Sequence, residues 1–122
     1  MAKRVLLVED EKNVILGVRT CLDAVGYDIE IVEDGQEALD AVNREYPDLI
    51  LLDLLLPKVD GFEVLKTLKE NEDTASIPVI VLTAKAEDED RQRVMDLGAD
   101  NYMTKPFKPQ ELWDVLKQYL SE

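Results

Sequence analysis

The chain has 122 residues, of which 46% are hydrophobic, and its 27 acidic and 14 basic side chains give a formal net charge of −13. The length predicts one domain, residues 1–122, and the apolar fraction suffices for a core, which excludes a disordered chain. With one Cys and no His, the composition excludes an intrachain disulfide, a Cys/His zinc site and a Ser-His-Asp triad. The acidic surface would repel nucleic acid and anionic membranes. No apolar run reaches the length of a signal-peptide core or a membrane span, so we expect a cytoplasmic protein.

Five apolar segments alternate with five segments of helical period. We predict strands at Val5–Val8, Ile29–Val32, Leu49–Leu52, Val79–Leu82 and Asn101–Thr104. The second alternates with acidic residues, as an edge strand does. We predict helices at 11–25, 36–45, 61–70, 88–97 and 109–120. Gly26 suits the end of the first helix, an acidic run from Glu87 suits the start of the fourth, and Pro109 suits the start of the fifth. The pattern predicts an α/β fold, a doubly wound five-stranded parallel sheet with helices on both faces.

Polar side chains follow four of these strands. Ligands of doubly wound sheets bind beyond the carboxyl ends of the strands, so these positions are the candidate site. They are Glu9, Asp10 and Glu11 after the first strand, Asp53 after the third, Thr83 after the fourth and Lys105 after the fifth. The first loop has no glycine, so it is not a dinucleotide or P-loop phosphate cradle.

The carboxylates predict a magnesium site if the first and third strands are neighbours. Two carboxylates about 5 Å apart repel by roughly 3 kcal/mol at an effective dielectric of about 20. A hard cation with oxygen ligands removes that cost, and Mg²⁺ suits a site with few carboxylates. Helix capping remains an alternative for Glu9, Asp10 and Glu11. It is weaker for Asp53, whose unpaired charge would lie inside an apolar segment.

Lys105 and Thr83 add an ammonium and a hydroxyl group to the same edge of the sheet. Taken singly, a loop lysine can be solvated and a strand threonine can be structural. Together with the carboxylates they can hold Mg²⁺ and a phosphoryl group, which is what phosphoryl transfer requires.

Four segments carry a family resemblance: VLLVEDE, DLILLDLLLPKVDG, VIVLTAK and GADNYMTKPF. In this order and spacing they resemble the receiver domain of two-component response regulators, from Arg4 to Leu120. The resemblance implies a CheY-like sheet of strand order 2-1-3-4-5. It also implies a sensor histidine kinase as phosphodonor and a downstream protein or effector domain as the recipient of the signal.

The resemblance implies a phosphoacceptor and a set of metal ligands. Asp53 would accept the phosphoryl group from a phosphohistidine of the kinase. Asp10, Asp53 and the backbone carbonyl of Leu55 would bind Mg²⁺ directly, and Glu9 would assist through water. Glu9 stands where Asp is usual in the family, which a water-mediated role tolerates.

The resemblance also implies a switch and a docking face. Lys105 would contact the phosphoryl oxygens, and its peptide bond to the following proline would be cis. The Thr83 hydroxyl would bond one of these oxygens, and Tyr102 would then turn inward and change the surface of the fourth helix, fifth strand and fifth helix. The kinase would dock on Val14, Gly17, Cys21, Pro106 and Phe107. For Gly17, packing against the fifth helix remains an alternative.

Two positions that flank the site tune the hydrolysis of the aspartyl phosphate in this family. They are Leu55 and Lys85 here, and we hypothesise that the apolar Leu55 positions the attacking water poorly and lengthens the life of the phosphoryl group.

Arg91, Asp100 and Glu111 resemble a charged set through which some receivers dimerise. Asn101 and Val115 depart from that set. We therefore expect a monomer before phosphorylation, with a dimer on activation left open.

The leading hypothesis is a self-catalysed phosphoacceptor that switches a partner, not a turnover enzyme. A Mg²⁺-dependent phosphohydrolase with Asp53 as nucleophile is an alternative, although it would usually have an acid at the position of Leu55. An FMN carrier is disfavoured by the acidic first loop. A phosphorylation-independent docking module is disfavoured because the site residues are all present. No effector domain follows within the sequence, so we expect a stand-alone receiver or one excised from a longer regulator.

Overall fold

The computed structural model describes residues 2–56, 58–84 and 88–120. Within them, five strands alternate with five helices: β1 Arg4–Val8, α1 Lys12–Ala24, β2 Asp28–Val32, α2 Gly35–Arg44, β3 Leu49–Asp53, α3 Gly61–Glu70, β4 Val79–Thr83, α4 Asp88–Asp96, β5 Asn101–Thr104 and α5 Pro109–Leu120. No helix in this described part of the chain is both long enough and apolar enough to cross a membrane.

The strands form one parallel sheet in the order β2-β1-β3-β4-β5. This confirms the predicted fold, including the placement of β2 at an edge. β1 and β3 are neighbours, with Val8 opposite Leu52, so the residues that follow these two strands lie side by side.

The sheet is covered by apolar helix faces on both sides. Alternate residues of each strand point to opposite faces. Leu6 and Ile50 join the core under α2, α3 and α4. Leu7 and Leu51 join the core under α1 and α5. β1, β3 and β4 are therefore buried on both faces, which explains their nearly continuous apolar sequences.

The predicted element bounds are confirmed to within one residue. Gly26 has a left-handed φ of 74° just after α1, and α5 begins at Pro109, as the sequence indicates. β3 and β4 each run one residue further than predicted and so include Asp53 and Thr83 in the sheet. Glu87 and Lys85, named in the sequence analysis, lie outside the described residues.

Lys69 joins α3 to the segment that follows it and to the start of β5. Its Nζ donates to the carbonyl oxygens of Ala75 and Ile77, at 2.9 and 2.8 Å, and to Asp100 Oδ2 at 3.0 Å. The Lys69 side chain is only 11% exposed. All three ammonium protons therefore have acceptors in a nearly dry environment.

We expect Lys69→Met to lower the free energy of unfolding by about 2 kcal/mol, because two part-buried carbonyls and a carboxylate lose a charged donor. Lys66→Met, at an exposed position of the same helix, is the matched control and should change stability by less than about 0.5 kcal/mol. Urea unfolding followed by circular dichroism measures both. Equal losses for the two variants would contradict this account.

Candidate metal centre at the carboxyl edge of the sheet

Three carboxylates meet where β1 and β3 end. Glu9, Asp10 and Asp53 each place an oxygen within 4.8 Å of the other two. Glu9 is fully buried, Asp53 is 5% exposed, and Asp10 lies at the exposed mouth. Backbone hydrogen bonds from Glu9 N to Val32 O and from Leu54 N to Leu82 O, at 3.0 and 3.2 Å, fix the chain at this edge. Three convergent hard oxygen donors fit Mg²⁺.

Lys105 lies against the two buried carboxylates. Its Nζ is 2.6 Å from Glu9 Oε1, 3.4 Å from Asp53 Oδ2 and 3.8 Å from Glu11 Oε2, and its side chain is 11% exposed. Burial opposes the charged ammonium, but Glu9 and Asp53 together raise the pKa of Lys105 above its usual value. The lysine is therefore charged at neutral pH. The bond from Lys105 to Pro106 is cis, as the resemblance implies.

Glu9 makes direct contacts with its protein neighbours, in addition to the water-mediated role that the resemblance implies. Besides the ion pair with Lys105, its Oε2 accepts from the backbone N–H groups of Asp10 and Glu11, each at 3.1 Å. Burial, with repulsion from Asp53, outweighs the effect of Lys105 and raises the pKa of the Glu9 carboxyl above its ordinary 4.5. The contact with Lys105 was missed by the sequence analysis.

The raised pKa of Glu9 predicts a pH dependence of stability in the metal-free protein. Above pH 4.5 the unfolded chain releases this proton while the folded chain still holds it. Unfolding therefore becomes easier as pH rises through the folded pKa. In EDTA, we expect the free energy of unfolding of Glu9→Gln to rise relative to that of wild type as pH increases over this window. A stability of Glu9→Gln, taken relative to wild type, that stays constant or falls as pH rises would contradict the assignment.

The β3–α3 loop closes tightly onto the end of β3. Leu55 N donates to Asp53 Oδ1 at 3.2 Å, and Gly61 N donates to Leu54 O at 3.0 Å. A Cβ at Gly61 would lie 2.5 Å from Asp53 O, so only glycine fits there. The Leu55 side chain is 77% exposed beside the site.

The predicted switch residues lie on neighbouring strands. Thr83 is buried at the end of β4, where it pairs with Thr104. Tyr102 is half-buried on β5, one strand further out, with the Arg91 guanidinium 4.9 Å from its ring centroid. This cation–π contact from α4 was also missed, because nothing in the sequence pairs the two residues.

A cleft of about 400 Å³ opens beside Glu11 and Lys105. Four of the five predicted docking residues line it: Val14, Gly17, Pro106 and Phe107. Cys21 is instead half-buried against the core under α1 and α5, and burial raises the pKa of its thiol. A Cβ at Gly17 would meet no atom within 4 Å, so packing against α5 does not explain the glycine.

Two acidic residues of the charged set through which some receivers dimerise, Asp100 and Glu111, have hydrogen-bond partners within the chain. Asp100 Oδ2 accepts from Lys69 Nζ and from Val79 N, the latter at 2.9 Å. Glu111 Oε1 accepts from Lys108 N at 3.2 Å. These intrachain contacts compete with pairing across a dimer.

A family model described as "Response regulator receiver domain" matches residues 5–117. The chain belongs to this family. It is the receiver domain of a two-component response regulator, a phosphorylation-based signalling module and not a turnover enzyme of the classic kind. Receiver domains accept phosphate from sensor histidine kinases and signal to downstream effectors.

This receiver is similar in sequence to two transcriptional regulators. It is 45% identical to the alkaline phosphatase synthesis transcriptional regulatory protein PhoP of Bacillus subtilis, over 92% of this chain and 46% of that protein. It is 46% identical to the phosphate regulon transcriptional regulatory protein PhoB of Escherichia coli, over 92% of this chain and 49% of that protein. The chain thus spans about half the length of these curated relatives.

One similar solved structure is the receiver domain of a sensor histidine kinase from Pseudomonas aeruginosa PAO1, with a magnesium ion coordinated in the active site cleft. It matches this receiver with a TM-score of 0.90 and 32% identity, over the whole of both chains.

Proposed function

We propose that the receiver accepts a phosphoryl group on Asp53 from the phosphohistidine of a sensor kinase in a Mg²⁺-dependent reaction. The observation that carries this proposal is the buried carboxylate pair of Glu9 and Asp53 with the Lys105 ammonium against both. An Asp53 oxygen attacks phosphorus, the P–N bond to the imidazole breaks, and the imidazole leaves. No histidine occurs among these 122 residues, so the phosphohistidine lies outside this domain.

Asp10, Asp53 and the backbone carbonyl of Leu55 would hold Mg²⁺, with Glu9 assisting through water. Bound there, Mg²⁺ offsets the repulsion between the carboxylates and the incoming phosphoryl oxygens. Lys105 neutralises charge on the same oxygens. This lysine already lies 3.4 Å from Asp53 Oδ2, so little rearrangement is needed, which favours electrostatic stabilisation of the transition state.

The signal would leave through the surface of α4, β5 and α5. The Thr83 hydroxyl would bond a phosphoryl oxygen, and Tyr102 would turn inward and release its contact with Arg91. The kinase would approach through the cleft lined by Val14, Gly17, Pro106 and Phe107. We propose a cytoplasmic monomer before phosphorylation, since Asp100 and Glu111 have partners within the chain. An effector domain or a separate protein would receive the signal, and this domain would not itself bind nucleic acid.

The phosphorylated receiver would lose its phosphoryl group slowly, because Leu55 offers no polar group to a water beside Asp53. We expect Leu55→Asn to speed dephosphorylation by about tenfold, since a positioned amide can orient the attacking water. Release of inorganic phosphate from purified phosphorylated protein measures the rate. An unchanged rate would exclude this role for Leu55.

The reaction is tested with acetyl phosphate as donor, in Mg²⁺ or in EDTA, by intact-mass spectrometry. We expect a gain of one phosphoryl group in Mg²⁺ and none in EDTA. Phosphate release over many turnovers without a lasting mass gain would favour the phosphohydrolase. No reaction in either medium, together with no transfer from a phosphorylated kinase, would contradict the proposal and favour a docking module.

A further inference from the structure

The N-terminus of α2 lies directly against the β3–α3 loop. A Cβ on Gly35 would be 1.9 Å from the carbonyl oxygen of Val59 and 2.8 Å from its Cβ. Real Cβ atoms do not approach that closely, so the two backbones meet at a distance that only glycine permits. Gly35 is buried at this contact, and Val59 packs against the core under α2, α3 and α4.

A second contact joins the same two segments. Asp34 caps α2 by accepting from Glu37 N at 2.8 Å, and its other carboxylate oxygen lies 3.5 Å from Lys58 Nζ. The helix-capping hydrogen bond, supported by Lys58, lowers the pKa of Asp34. Lys58 has a left-handed φ of 66°, an uncommon conformation for a residue with a side chain.

The described residues of this loop are therefore held near both of its ends and also at Lys58 and Val59. At its ends, Leu55 N is bonded to Asp53 Oδ1 and Gly61 N to Leu54 O. At its middle, Lys58 and Val59 rest on Asp34 and Gly35. Leu55, whose carbonyl is a ligand in the proposed metal site, comes between Asp53 and Lys58 along the chain.

We infer that Asp34 and Gly35 are positioning residues for phosphoryl transfer: through Lys58 and Val59, the α2 N-terminus holds the loop that presents the Leu55 carbonyl to Mg²⁺. This inference rests on the proposed function. Neither residue touches the metal or the phosphoryl group. Their effect is on Mg²⁺ affinity, because a ligand that must be ordered on binding contributes less than one already in place.

The inference is tested by measuring the Mg²⁺ Kd of wild type, Gly35→Ala and Asp53→Asn by isothermal titration calorimetry with MgCl₂. The added methyl group must push the loop or the helix aside, so we expect the Mg²⁺ Kd of Gly35→Ala to rise by about tenfold or more. In EDTA, amide exchange at Gly61 should quicken, since displacement of the loop weakens its hydrogen bond to Leu54 O. If Gly35→Ala folds and its Mg²⁺ Kd is unchanged while wild type binds normally, the inference is wrong but the proposed metal site stands.

If Gly35→Ala fails to fold, Asp34→Asn tests the same inference. Asn caps a helix as well as Asp does, so α2 keeps its cap and only the attraction to Lys58 is lost. We expect the Kd to rise between about two- and fivefold, as suits an ion pair whose lysine is 70% exposed. Asp40→Asn, at an exposed position of the same helix, removes the same charge and should leave the Kd unchanged.

Equal effects of Asp34→Asn and Asp40→Asn would mean that net charge alone matters, which would overturn the inference. Failure of wild type to bind Mg²⁺, or equal binding by Asp53→Asn, would overturn the proposed metal site and this inference with it.

Discussion

Lys105→Met is expected to slow phosphoryl transfer to Asp53 by about 100-fold or more, the cost of removing a preorganised charge from a water-poor site. Water cannot easily take the place of the missing ammonium group, because the Lys105 side chain is 11% exposed and its Nζ lies against Glu9 and Asp53. Methionine keeps most of the side-chain volume and removes the charge. The pseudo-first-order rate with acetyl phosphate at saturating Mg²⁺ measures the loss.

Lys108→Met is the matched control for Lys105→Met. Lys108 is exposed three residues further along the same segment, and its backbone N–H, not its ammonium, bonds Glu111. We expect a rate close to that of wild type. Similar losses in both variants would show that general surface charge, not the position of Lys105, governs the reaction.

Asp53→Asn is expected to make the metal-free protein more stable and to abolish its stabilisation by Mg²⁺. Without metal, Asn removes a charge that is 5% exposed and faces two other carboxylates, a gain of about 1 kcal/mol after the lost attraction to Lys105 is deducted. Wild type should gain about 2.7 kcal/mol when Mg²⁺ is present at 100 times its Kd. The variant should gain almost nothing.

Urea unfolding in EDTA and in Mg²⁺ measures these stabilities. Equal stabilisation of wild type and Asp53→Asn by Mg²⁺ would place the metal elsewhere. A metal-free variant less stable than wild type would show that attraction to Lys105 outweighs the repulsion from Glu9 and Asp10.

The fold and the candidate site could be predicted from the sequence because both depend on short patterns. Apolar runs of four residues predict the first four strands, and the weaker segment Asn101–Thr104 predicts the fifth. Asp10, Asp53, Thr83 and Lys105 each stand at or just beyond a strand end. A parallel sheet brings those ends to one edge whatever the details of packing. The strand order itself came from the family resemblance, since periodicity does not specify which strands are neighbours.

The contacts between distant segments could not be predicted in this way. Lys69 and Asp100 are 31 residues apart, and nothing local distinguishes Lys69 from the exposed Lys66. The ion pair of Lys105 with Glu9 depends on how far a flexible side chain reaches across two strands. The fit of Gly35 against Val59 depends on the distance between two backbones, which a sequence pattern does not encode.

The central claim is that Asp53 receives the phosphoryl group in a Mg²⁺-dependent reaction. The most direct test is to phosphorylate the protein with acetyl phosphate and Mg²⁺, reduce the acyl phosphate with borohydride, and locate the modified residue by peptide mass spectrometry. We predict homoserine at position 53, absent when EDTA replaces Mg²⁺. Reduction at another carboxylate, or a phosphoryl group that Asp53→Asn still acquires in full, would contradict the account.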